Sequence, residues 1–368
     1  MANAENPITQ LLNRMVQWHA SDLHLQSGIV PFVRIEGKLR PVDCRPLRQD
    51  EIDEFAGEIL DDRHRRLFKE RGSVDVGHAF SKRIRFRVNV YNQRGTTSVA
   101  FRLIDCDVPS AKELCLPPVI EKITDTKRGI ILVTGPAGSG KSTTLASMID
   151  LINTKRSEHI ITVEDPIEFL HENKKSLIEQ REIGSDAADF YIALTHMLRQ
   201  DPNVLLIGEI RDLETVTMSI RAALTGHLVF STLHTIGTIQ TLERLLQYYQ
   251  REEREAVRSE LALSMRSVIS QRLVPGIDGK RYPCVEVMVA LGVIPKLLRE
   301  GRYDDIIIAI KGREYGMQTF DQSLVDLFAR KLISLEIGEA HADDPGGFKR
   351  MAAGGFSSDD RGAIISDL

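Results

Sequence analysis

Gly129-Ile130-Ile131-Leu132-Val133-Thr134-Gly135-Pro136-Ala137-Gly138-Ser139-Gly140-Lys141-Ser142-Thr143 decides the fold. A short apolar run breaks into a glycine-rich loop, and the loop gives way to a helical pattern. Gly135 through Ser142 matches G-x-x-x-x-G-K-[ST] in full, in the strand-to-helix setting that a phosphate-binding loop requires. Glycines let backbone N–H groups close around phosphate oxygens, and the helix N-terminus adds a favourable dipole. The candidate set for ATP is therefore Gly135, Ala137, Gly138, Ser139, Gly140, Lys141, Ser142 and Thr143, with Lys141 on the β/γ-phosphates and Ser142 as the ligand of Mg2+. The competing reading is an ordinary glycine turn.

Outward from the loop, Ile160–Val163, Val204–Ile207 and Leu228–Phe230 repeat the short apolar run, separated by amphipathic stretches such as Phe190–Leu198. Continuous apolar strands alternating with helices predict an α/β unit with a mostly parallel, doubly covered sheet. After about Thr238 the pattern reads as helical, with a short strand at Val285–Val289. The stretch 341–368, with Asp343-Asp344-Pro345-Gly346-Gly347 and Ser357-Ser358-Asp359-Asp360, reads as a mobile tail.

Before the loop, Ile52, Phe55, Ile59 and Leu67 recur at helical spacing. Ile84, Phe86, Val88 and Val90 alternate with Arg83, Arg85, Arg87 and Asn89, and Val99, Phe101 and Leu103 follow a turn-rich segment, predicting a hairpin. Residues 1–108 thus form a smaller α+β domain. Pro109, Pro117 and Pro118 mark a linker over 109–118, leaving 119–340 for the nucleotide-binding domain.

Acidic groups follow two of the apolar runs. Glu164-Asp165-Pro166-Ile167-Glu168 stands just beyond Ile160–Val163, at the edge where open α/β sheets bind ligands. Its carboxylates either hold magnesium through water and position the attacking water, or serve as caps. Val204–Ile207 ends in Gly208-Glu209, with glycine where a magnesium-binding aspartate is usual, so Glu209 is the water-orienting base or the partner of Arg211. His227 and His234 bracket Leu228–Leu233, as γ-phosphate sensors or as structural histidines; without a third ligand they make a poor zinc site. Arg83, Arg85, Arg87 and Arg102 share a hairpin face, either a solvated basic surface or arginine fingers for a neighbour's nucleotide.

The 368 residues are 42% hydrophobic and 27% charged, with a net charge of −4. That composition excludes disordered and fibrous classes, and a pI near 6.2 gives no support for nucleic acid as a partner. Cys44, Cys106, Cys115 and Cys284 form no C-x-x-C pair, so neither a disulfide framework nor a four-cysteine zinc site is indicated. No secretory signal or membrane-spanning segment is read, and a cytoplasmic location is expected.

In their order, these segments resemble the type IV pilus retraction ATPases, the PilT/PilU branch of the secretion-type ATPases. The resemblance rests on Ala20–Leu25, Arg85–Asn89, the phosphate-binding loop, Ile161–Phe169, Asp201–Asp212, Thr225–Thr235 and Gly316–Asp321. It implies a PAS-like N-terminal domain, a RecA-like ATPase domain and a homohexameric ring that retracts pili, on the cytoplasmic face of the inner membrane. Implied partners are an inner-membrane pilus platform protein and a paralogous retraction ATPase. Carried residue by residue, it supports Lys141, Ser142, Glu164, Glu168, Glu209, His227 and His234. Val293-Ile294-Pro295-Lys296-Leu297-Leu298-Arg299-Glu300 lies where retraction motors carry Ala-Ile-Arg-Asn-Leu-Ile-Arg-Glu, so Pro295 and Lys296 replace Arg and Asn. An accessory or paralogous secretion-type ATPase, or a nucleotide-gated interaction module with little hydrolysis, is the alternative.

Overall fold

A computed structural model describes residues 6–354 apart from 36, 82, 83, 105 and 106, so Arg83, Cys106 and the stretch 355–368 lie outside the described residues. The chain divides into two units, Met1–Asp107 with Pro166–Leu170, and Val108–Asp165 with His171–Leu368.

The first unit contains α1 (Pro7–Gln17), β1 (Asp22–Leu25), β2 (Phe32–Ile35), β3 (Lys38–Pro41), α2 (Gln49–Ile59), α3 (Asp62–Arg71), β4 (Ser73–Ala79), β5 (Arg85–Gln93) and β6 (Thr96–Ile104). The strands form an antiparallel sheet of order β3-β2-β1-β6-β5-β4. Helix α1 buries Ile8, Leu11, Leu12 and Met15, one stripe at 3.6-residue periodicity. The helical spacing read through Leu67 resolves into two helices, because Asp61 caps a new one by accepting from the His64 N–H. The expected hairpin is β5–β6. It closes through Arg94 and Gly95, both at positive φ (51° and 81°), the two-residue turn that matches strand twist. Phe55, Phe86 and Phe101 pack edge to face in this unit's core.

The second unit opens with α4 (Val119–Thr124) and continues through β7 (Gly129–Thr134), α5 (Lys141–Lys155), β8 (His159–Glu164), β9 (Leu177–Glu182), α6 (Phe190–Met197), β10 (Val204–Ile207), α7 (Leu213–Leu224) and β11 (Leu228–Leu233). It ends with α8 (Thr238–Gln247), α9 (Arg254–Ser264), β12 (Met265–Pro275), β13 (Arg281–Val289), α10 (Ile294–Glu300), α11 (Tyr303–Lys311), α12 (Phe320–Ala329), α13 (Leu335–His341) and α14 (Pro345–Ala352). The sheet runs β13-β12-β7-β11-β10-β8-β9 and is parallel except for β13. Every residue of β7, β10 and β11 is buried, as expected of a sheet covered on both faces.

Two readings of the second half need correction. The region after Thr238 is not helical up to Val285: β12 is an eleven-residue strand beside β7, and β13 starts at Arg281. The polar letters of β12 hid it. Ser267, Ser270 and Gln271 are buried, and each spends its side chain on a hydrogen bond rather than on water. The stretch from 341 is also not a tail throughout. Residues 345–352 form α14, whose Phe348 is fully buried against Val274, Cys284, Phe320, Leu324 and Leu327. Glycines at 346 and 347 obscured the apolar pair Phe348 and Met351, both of which are buried.

Candidate functional site

The phosphate-binding loop spans the gap between β7 and α5, at the carboxyl edge of the parallel strands. Gly135, Gly138 and Gly140 take φ of 147°, 75° and 86°, conformations that side-chain-bearing residues rarely adopt. Gly140 caps α5 without a side chain, so the first N–H groups of the helix face the loop with no intrahelical acceptor. The Lys141 ammonium lies across the loop. It donates to the carbonyls of Gly135 (2.8 Å) and Pro136 (3.1 Å) and sits 3.4 Å from His234 Nδ1. Ala137 is exposed at the rim; Ser142 and Thr143 are half-buried in the first turn of α5. Ser139 is buried, and its Oγ has no hydrogen-bond partner, a hydroxyl held ready for an acceptor brought by a ligand.

Glu209 follows β10 directly. Arg211 Nε donates to Glu209 Oε2 (2.9 Å), and Arg211 reaches on to Asp165 Oδ2 at 3.3 Å. This pairing holds the guanidinium pKa above its ordinary value, the hydrogen bond to Glu209 being the main cause. On its other oxygen, Glu209 lies 3.4 Å from His234 Nε2. With Nδ1 accepting from Lys141 and Nε2–H facing the carboxylate, a neutral imidazole satisfies both neighbours, and Lys141, His234 and Glu209 form one connected line. The Glu209–Arg211 pair read as one alternative is present, and the same carboxylate also faces His234.

Gly208 departs from the usual aspartate for a reason of space. A Cβ there would meet the Val163 carbonyl oxygen at 3.3 Å and Glu164 Cα at 3.4 Å, tighter than side chains normally pack. Thr232 Oγ1 donates to the Gly208 carbonyl, tying the ends of β10 and β11 together. Glu164, half-buried at the end of β8, accepts from Thr162 Oγ1 (2.6 Å) and Gln180 Nε2 (3.3 Å). Glu168 is exposed and belongs to the segment grouped with the first unit.

The histidines part company. His234 stands at the carboxyl end of β11, beside Lys141, whereas His227 precedes the strand. Seven residues of extended chain, at about 3.3 Å each, put the two roughly 23 Å apart. His227 Nδ1 instead lies 2.9 Å from the Ala222 carbonyl, closing the turn after α7. Of the two histidines read as γ-phosphate sensors or structural histidines, His234 lies beside Lys141 and His227 does not, because parallel strands present one end, not both, to a ligand.

In the first unit, Arg87 and Arg102 are cross-strand neighbours on the exposed face. Arg102 Nε donates to Asp22 (2.9 Å), which Arg34 also approaches at 3.4 Å, whereas Arg87 is held more loosely by Asp75 at 3.5 Å. Arg102 is thus committed to a charge ladder across β2, β1 and β6. Arg87 keeps the freer guanidinium. The Arg85 guanidinium lies over Gly77, where a Cβ would collide with it.

One residue of the site has no signature in the sequence. Gln271 of β12 donates from Nε2 to the Ser139 carbonyl (2.6 Å) and accepts from Thr144 Oγ1 (2.8 Å), inside the phosphate-binding loop's own fold. A buried glutamine in a strand was the available clue, and it becomes legible only once β12 is placed next to β7.

Comparison with known proteins agrees with this geometry. Residues 3–283 match the family model described as type II/IV secretion system protein. The chain is 42% identical to the type IV pilus retraction ATPase PilT of Pseudomonas aeruginosa over 93% of its length and 99% of that protein. It is 40% identical to a twitching motility protein of Neisseria gonorrhoeae, over 85% of this chain and 84% of the other. A crystal structure of the pilus retraction motor PilT with bound ADP superposes with a TM-score of 0.87 at 40% identity, covering 94% of this chain and 99% of that one. With the phosphate-binding loop, the Glu209 strand and His234 arranged on one sheet edge, the chain belongs to the type II/IV secretion system protein family.

Proposed function

We propose that this chain is an ATP-hydrolysing motor that powers type IV pilus retraction. The observation that carries the ATPase reading is the line Lys141–His234–Glu209 at the carboxyl edge of the sheet, which supports a phosphate-binding lysine and a base acting on one nucleotide. Retraction is supported by the names of the relatives that match almost end to end. Mg2+ fits the half-buried Ser142, with the carboxylates of Glu164 and Glu209 to hold its waters; the ion would neutralise charge on the transferred phosphoryl group. Lys141 binds the β/γ-phosphates, Glu209 orients the attacking water, and His234 links the base to the phosphate side of the site.

A homohexamer on the cytoplasmic side of the inner membrane, engaging a platform protein of the pilus base, completes the proposal. It is consistent with the absence of any described helix long and apolar enough to cross a membrane. The proposal keeps a smaller domain over 1–108 and a nucleotide-binding domain from 119, which extends past 340 to take in α14. Cells lacking the chain should keep or accumulate surface pili and fail to twitch; loss of all pili would mean an assembly motor instead. The accessory reading draws on Pro295 and Lys296, at the start of α10, where proline is tolerated because its missing N–H would be unbonded anyway. Complementation of a strain lacking its principal motor separates the two, since an accessory chain alone would not restore movement.

A further inference from the structure

Gln271 is 2% exposed, and both ends of its amide are bonded, Nε2 to the Ser139 carbonyl of the phosphate-binding loop and Oε1 to the Thr144 hydroxyl of α5. Its backbone takes part as well. A Cβ on Gly135 would collide with the Gln271 carbonyl oxygen, and a Cβ on Gly140 would lie 2.9 Å from Nε2. The first glycine of the motif and its last are therefore shaped around this one residue of β12 as well as around phosphate.

We infer that Gln271 is a positioning residue for ATP, one that aims the Gly140 N–H into the loop. The argument is peptide geometry. A trans peptide carries its C=O and the next N–H on opposite sides. With the Ser139 carbonyl anchored outward on Gln271 Nε2, the Gly140 N–H of the same peptide plane must point the other way, toward the phosphate. The Ser139 carbonyl, which can only accept, settles the amide's orientation by requiring the NH2 group, and the Thr144 hydroxyl, one turn into α5, then donates to Oε1. Strand, loop and helix are thus locked through three consecutive hydrogen-bonding groups. Nothing about Gln271 requires it to touch ATP.

The inference rests on the proposed ATP site, and the test keeps the two apart. KM and kcat for MgATP, ADP affinity by titration and the thermal midpoint are measured on the full chain, for wild type, Gln271→Ala, Gln271→Glu, Thr144→Ser and Lys141→Ala. An N–H that binds ground state and transition state alike raises KM and leaves kcat nearly unchanged when it is lost. Gln271→Ala should therefore raise KM and weaken ADP about tenfold, one hydrogen bond to a charged group. Gln271→Glu conserves shape but sets a carboxylate oxygen against the Ser139 carbonyl, so the loss should exceed that of alanine. Thr144→Ser keeps the hydroxyl and should match wild type. A purely structural glutamine would lower the thermal midpoint and leave KM and ADP affinity as they are, which overturns the inference. So would a fall in kcat at constant KM. Should wild type itself neither bind ADP nor hydrolyse ATP, as Lys141→Ala is expected not to, the ATP reading falls and takes this one with it.

Discussion

Lys141 and Glu209 act on one nucleotide in different ways, and their substitutions should separate. Removing the ammonium in Lys141→Ala takes away phosphate binding and charge stabilisation together, so both nucleotide affinity and turnover should collapse. Glu209→Gln keeps the shape and a hydrogen-bonding group but loses the base, a change worth about 10² to 10⁴ in rate. Bound ATP should then persist, detectable by filter binding; equal loss of binding in both variants would contradict these roles. A third residue sets an acid limit on stability. His171 is driven down to about 4, mainly by burial, from an unfolded value of 6.5. Between those two pH values the unfolded chain binds the proton and the folded chain resists it. The neutral ring's contribution is therefore complete above about pH 6.5 and is lost as pH falls toward 4, by on the order of 3 kcal/mol. Urea midpoints of wild type and His171→Gln at pH 7 and 4.5 check this, the variant being expected to lose less on acidification. An identical loss in both would exclude His171 as the titrating group.

At the scale of elements, α14 offers the plainest test, because one large side chain, Phe348, is its fully buried contact and, of its other side chains, only Met351 is buried beside it. Phe348→Ala should cost about 3–5 kcal/mol, the usual penalty for emptying a buried aromatic site. It should lower the thermal midpoint while leaving ATP turnover of the folded chain unchanged; a midpoint equal to wild type would mean that α14 is not anchored through Phe348. The same helix shows where sequence reading stops. Strands β7, β8, β10 and β11 were legible because parallel strands buried on both faces are written as continuous apolar runs. The loop was legible because phosphate chemistry demands glycine and lysine at fixed spacing. Helix α14 carries only Phe348 and Met351 as apolar anchors after two glycines, and β12 carries buried serines and a glutamine, so neither pattern resembles its burial. His227 and His234 look equivalent in sequence, since the letters give spacing along a strand but not which end of the sheet holds the ligand. Gln271 was illegible for a related reason: its partners, Ser139 and Thr144, lie more than 120 positions away in the chain.

Across the whole molecule, the proposed ring makes hydrolysis depend on a neighbour. Arg87 is the better candidate for a finger because its contact with Asp75 is long and both groups are half-exposed, whereas Arg102 is tied to buried Asp22. Mixing Arg87→Ala chains with Glu209→Gln chains, each nearly inactive alone, should restore part of the activity, because some interfaces then combine an intact arginine with an intact base. A finger in trans contributes about 10³ to 10⁵ in rate. No recovery in confirmed mixed rings, or normal turnover by Arg87→Ala alone, would remove Arg87 from that role. The sheets themselves bear on how copies can meet. The outer side of β13 is already occupied, since Val287 exchanges backbone hydrogen bonds with Gln318 and Val285 donates to Ser323. At the opposite border, β9 exposes Glu179 beside Leu177, with Arg181 half-buried. In the first unit, β3 is only Lys38-Leu39-Arg40-Pro41 and fully exposed. Occupied, charged or proline-ended borders discourage the recruitment of another chain's strand. At these borders copies of this protein are steered away from stacking strand on strand and toward side-chain contacts, which can slide and re-form without tearing a backbone ladder.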